Sequence, residues 1–180
     1  KEVDDVAEEL RRTNKEIKDR VKDVLRELEE LLTDIEKTVR DVERELRESD
    51  ERLEREVRRK NTSDDIVREV KELNKEIVER LKKVVEEVTR RLKKLVDEAE
   101  EVVKEVVDLN REILKELRDV RGEEVRRIVE KARKINTEVK KKIEEIEKTV
   151  RKILKEVRKI IKDIRDEARR INEEVRKKLE

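Results

Sequence analysis

Leu109-Asn110-Arg111-Glu112-Ile113 sets a carboxamide in the middle of an otherwise apolar helical stripe. Related stretches are Thr13-Asn14-Lys15-Glu16-Ile17, Leu73-Asn74-Lys75-Glu76-Ile77, Ile135-Asn136-Thr137-Glu138-Val139 and Ile171-Asn172-Glu173-Glu174-Val175. Outward from these stretches, apolar residues recur at steps of three and four, as in Val3, Val6, Leu10, Ile17, Val21, Val24 and Leu28. That period belongs to a helix with one buried face.

The pattern breaks twice. Lys60-Asn61-Thr62-Ser63-Asp64-Asp65 has no apolar residue. Asn61 can take the left-handed conformation that ends a helix, Thr62 or Ser63 can cap the next one, and Asp64 and Asp65 suit its positive N-terminus. Gly122, the single glycine, is the second natural stop, followed by Glu123 and Glu124 at a new N-terminus. The expectation is an all-α, single-chain, antiparallel up-down-up three-helix bundle with helices over about 3–59, 64–120 and 124–179, forming one elongated domain over 1–180. At the usual rise each helix would run about 80 Å.

An 18-residue repeat underlies the stripe. Val3, Val21, Val39 and Val57 follow it, as do Ile66, Val84, Val102 and Val120, and Val125, Ile143, Ile161 and Leu179. Eighteen residues make about five turns, so the stripe keeps to one side of a nearly straight helix, whereas a strict heptad would demand a left-handed supercoil. Folding at the two breaks pairs Val3 with Val120, Leu10 with Ile113, Ile17 with Val106 and Val57 with Ile66. It likewise pairs Ile66 with Leu179, Val84 with Ile161 and Val120 with Val125. Each step along one helix is matched by an equal step back along its neighbour.

The same folding brings the asparagines to two levels. Asn14, Asn110 and Asn136 share one, with Thr13 and Thr137 expected to help satisfy them; Asn74 and Asn172 share the other, and there the first helix supplies Asp50 beside Ser49, the expected helper at that level. Which of Asp50 and Ser49 faces the core is left open by the spacing. Midway lie Leu32, Leu92 and Leu154, an expected all-leucine layer. Amides at one level can satisfy one another and fix axial register, since a slip by one repeat would keep valine opposite valine but set asparagine opposite leucine. The alternative places some asparagines at the edge of the stripe, bonded to water.

Composition excludes most chemistry. Charged residues make up 58% and apolar ones 33%, a ratio that suits helices carrying one narrow stripe each. Without His or Cys, the common transition-metal sets and nucleophile–base pairs are missing, and the acidic residues fall almost entirely on outer faces, where they read as solvation and pairing with Lys or Arg. A single glycine rules out a glycine-rich phosphate loop. No catalytic residue, cofactor site or metal site is indicated. No apolar run reaches the roughly 18 residues that span a bilayer, no signal-like segment opens the sequence, and a soluble protein of undetermined location is expected.

Residues 123–180 hold 21 basic against 14 acidic side chains, and residues 1–60 hold 17 against 21. Attraction between unlike helices is the simpler account than nucleic acid, which would usually add stacking aromatics or a groove-reading element. Extra apolar residues flank the second helix at Val67, Val78, Val85, Val96, Val103 and Leu114. A helix with two neighbours needs a broad stripe, so a monomer that requires no partner is expected, with assembly through these flanks as the competing reading.

Phe, Trp, Tyr, Met, Cys, His, Pro and Gln are all absent, although such types supply roughly a quarter of an ordinary protein. With this palette, the repeat and the paired asparagine levels, the whole chain resembles the de novo designed, parametrically generated antiparallel three-helix bundles. Its levels resemble the modular buried hydrogen-bond networks of designed helical oligomers. The resemblance implies very high stability, no natural substrate and no enzymatic activity. Natural spectrin-like repeats share three long helices but carry aromatic core residues and shorter helices.

Overall fold

The fold is given by a computed structural model that describes residues 2–179, with side chains from Val3 onward. It consists of α1 (Glu2–Lys60), α2 (Asp65–Asp119) and α3 (Glu123–Leu179), and no strand occurs among the described residues. Valine and isoleucine, which dominate the stripe, are middling helix formers. Packing of the apolar face, more than local propensity, therefore holds helices of this length.

The first turn is a Schellman motif. The Asn61 amide donates to the Arg58 carbonyl at 3.3 Å and the Thr62 amide to the Val57 carbonyl at 3.1 Å, with Asn61 at φ 52°. Of the two candidate caps, Ser63 is the one used, its hydroxyl accepting the Asp65 amide at 3.3 Å. At the second turn Gly122 sits at φ 72° with open space where a Cβ would be, so it is the backbone angle and not crowding that asks for glycine.

Contacts divide the chain into two compact units. One comprises Lys1–Glu29 with Arg91–Lys152, the other Glu30–Arg90 with Ile153–Glu180. Each holds a segment of all three helices. In the first, Val6, Leu10, Ile113, Leu117, Val125, Val129 and Ala132 form a buried cluster. In the second, Leu53, Val57, Val67 and Val70 do the same, with Ile66, Val175 and Leu179 packed against them. Each of these buried aliphatics larger than alanine contributes about 1.5–3 kcal/mol by leaving water.

The apolar flank of α2 is largely used within the units. Val67, Val96 and Val103 are buried, and Val78, Val85 and Leu114 are half-buried. Leu92 and Leu154 are buried, but Leu32 is only half-buried, because Leu31 and Leu32 straddle the stripe whose centre is held by Leu28 and Ile35. Among the described residues no helix is long and apolar enough to cross a membrane.

Candidate functional site

Asn110 is fully buried on α2 and Asn136 nearly so on α3, and the two exchange a reciprocal pair of amide hydrogen bonds, both 2.9 Å. The second N–H of Asn110 reaches the carbonyl oxygen of Asn14 on α1 at 2.6 Å, and that of Asn136 donates to the Ala132 backbone carbonyl at 2.7 Å. Alanine four residues earlier leaves that carbonyl uncovered. An unpaired buried amide costs about 1–3 kcal/mol, and here each donor of the two buried amides has a partner.

The second unit repeats this arrangement 36 residues along each helix. Asn74 and Asn172 exchange bonds of 3.0 and 2.9 Å, Asn172 donates to the Ala168 carbonyl at 2.7 Å, and Asn74 donates its other N–H to Asp50 at 2.7 Å. Ser49 and Asp50 both take part. The buried Ser49 hydroxyl donates to the Asn172 oxygen at 3.2 Å, while Asp50 sits half-buried at the edge and accepts from Asn74.

The threonines behave differently from the expected helpers. Thr137 lies on the exposed side, donating to the Arg133 backbone carbonyl at 2.9 Å, because one residue past Asn136 turns the side chain about 100° away from the core. Thr13 is half-buried, at the position that corresponds to Ser49, and no bond joins it to the amides.

Burial raises the Asp50 carboxyl from its ordinary value, against the Asn74 hydrogen bond and the charge of Lys71, with Glu54 adding to the rise. Lys71 and Glu54 form an exposed ion pair nearby, which raises the lysine and lowers the glutamate. The acidic residues are not all on outer faces. Glu147 on α3 is buried, with Arg20 Nε at 3.2 Å in an alignment too poor for a hydrogen bond, so the contact is coulombic. The guanidinium folding across from α1 makes that burial tolerable. No three acidic side chains among the described residues converge as metal ligands would.

An ion-pair ladder between α1 and α3 escaped the sequence reading. Glu9 meets Arg133 through two bonds of 3.3 and 3.0 Å, Glu27 meets Arg151 at 3.9 Å, and Glu45 meets Arg169 through bonds of 2.6 and 3.0 Å. The Arg169 hydrogen bond holds the Glu45 carboxyl below its ordinary range. Both sides follow the 18-residue period, so applying it to charges as well as to apolar residues would have found the ladder.

No protein-family model, curated protein or solved structure matches the chain.

The two layers can donate and accept hydrogen bonds, and their carboxamides do not titrate near neutral pH. Among the groups that make them up, Asp50 alone is an acid.

Proposed function

We propose that this chain is a designed structural scaffold without a natural biochemical function, in which the two polar layers specify which helix faces meet and at what height. One observation carries the reading. The same α2–α3 amide pair, with the same α1 acceptor position and the same alanine carbonyl, occurs in both units at a 36-residue offset on every helix. Independent partial solutions to polar burial would not share geometry and spacing. The short turns already restrict sliding between consecutive helices, so the layers act most strongly on the α1–α3 pairing and on mispairing between chains. The buried polar groups are mainly amides, which do not serve as acids or bases near neutral pH, and this favours a scaffold over an enzyme.

A composition-neutral exchange tests this. Asn110→Leu with Leu117→Asn moves one amide out of the layer into the buried cluster around Leu10 and Ile113. Stability in urea should fall by more than about 3 kcal/mol, as both the abandoned and the displaced amides lose partners. An unchanged midpoint would refute the positional role.

The second reading is a self-assembling or partner-binding module. Ile160 is 43% exposed, and Val85 lines a shallow groove with Val39. Burial of Val67, Val96 and Val103 supports the monomer instead. Light scattering separates the two: about 21.9 kDa is expected for the scaffold, and a multiple of it for the module.

A further inference from the structure

A second charged series connects α1 and α3 at the same period, and it changes sign at its last member. Glu16 pairs with Lys140 at 3.1 Å; one repeat later Asp34 and Arg158 line a common groove; one repeat later still the equivalent positions are Arg52 and Arg176, two like charges. They line an open cleft of about 450 Å³ together with Arg55, Arg59 and Lys177. Among the described residues two carboxylates, Glu56 and Glu173, enter the same cleft, and Glu56 lies 3.7 Å from Arg59. The Nε of Arg176 is buried without a hydrogen-bond partner, and so is Oε2 of Glu56. Two arginines lining one cleft repel, and an orphaned buried guanidinium N–H is costly unless an acceptor reaches it.

We propose that this cleft binds a compact oligophosphate, with Arg52 and Arg176 clamping the anion from α1 and α3 and Arg55, Arg59 and Lys177 surrounding it. Guanidinium forks match phosphate oxygens in pairs, and several cations converging on one small volume favour a short, multiply charged chain over a single phosphate. The cleft adjoins a smaller recess of about 240 Å³ that shares Arg52, Glu173 and Arg176 and is also lined by Ser49 and Asn172. An anion held there would lie beside the second polar layer. No aromatic side chain exists to stack a base, so recognition is of phosphate and not of nucleobase.

Calorimetric titration of the full chain with tripolyphosphate at fixed ionic strength tests the proposal. One saturable site per chain is expected, with orthophosphate at least fivefold weaker. Arg52→Glu should weaken tripolyphosphate at least tenfold. Lys131→Glu, the same charge change at an exposed position in the other unit, should leave affinity within twofold. Without phosphate, Arg52→Glu should raise the melting temperature, since it sets a carboxylate opposite Arg176 as Glu16 stands opposite Lys140. The double variant Arg52→Gln, Arg59→Gln repeats the binding test without a new acid. No saturable binding, or equal weakening by Arg52→Glu and Lys131→Glu, overturns the site.

Discussion

The two polar layers share an α2–α3 core and differ on α1. In the first unit α1 offers a half-buried amide, Asn14, and a threonine with no bond to the layer. In the second it offers a carboxyl, Asp50, and a buried hydroxyl, Ser49, that adds a bond to Asn172. One template thus exists in a fully amide form and in a form that carries a titratable acid and an extra donor. What varies is α1, whose Asn14 and Asp50 are half-buried while Ser49 is buried; the α2–α3 amide pair does not vary.

The largest expected effect probes the shared part. Asn110→Ala strips Asn136 of its amide partner and Asn14 of its donor, and Asn74→Ala does the equivalent in the second unit. Each should cost about 2–4 kcal/mol in urea unfolding, with the two values close to one another. A large inequality would mean that the layers are alike only in outline.

Ser49→Ala against Thr13→Ala sharpens the difference on α1. Losing the Ser49 hydroxyl should cost about 0.5–1.5 kcal/mol, the net value of one hydrogen bond. Thr13→Ala should change stability by less than about 0.5 kcal/mol, as for surface substitutions. Equal losses would assign Thr13 a bond equivalent to that of Ser49.

Asp50→Asn would give the second layer the α1 amide of the first while keeping the Ser49 bond. Because burial raises the folded-state pKa of Asp50 above its unfolded value, the folded chain holds that proton more tightly. The resulting stabilisation is fully present below the unfolded value and is lost as pH rises through the folded one. Asp50→Asn should therefore be equal to or more stable than the parent at neutral pH. The advantage should shrink on acidification and stay below about 1 kcal/mol for a group so exposed to solvent screening. Stability curves of the two proteins against pH, subtracted, show it; a difference that grows toward acid would reverse the sign.

Glu45→Gln tests the ladder beside the second layer. Its lowered carboxyl pKa, caused chiefly by Arg169, means that its contribution is present above the unfolded value and lost as pH falls through the folded one. About 0.2–1 kcal/mol is expected, diminishing in high salt.

Much of this was legible in the spacing. The positions of Asn61 and Gly122 marked both turns, and matching distances from those turns put Asn14, Asn110 and Asn136 at one level and Asn74 and Asn172 at another. A helical period converts directly into a face and a height. Side-chain detail beyond the period was not readable. Thr137 is one residue from Asn136, and that step alone turned it outward. Ser49 and Asp50 share the work because adjacent positions leave the hydroxyl buried and the carboxyl half-buried beside it. The burial of Glu147 depends on Arg20 reaching over from another helix, and the half-burial of Leu32 on how Leu28 and Ile35 centre the α1 stripe.

The central claim is that the layers select one arrangement more than they strengthen it. Replacing Asn14, Asn110 and Asn136 together by leucine, then measuring urea unfolding and the mass distribution after refolding, tests it most directly. An equal or higher unfolding free energy with a mixture of masses is predicted, since a fully apolar layer leaves no buried polar group unpaired and no penalty on wrong pairings. A loss of more than about 3 kcal/mol, or a single refolded species of parental mass, would contradict it.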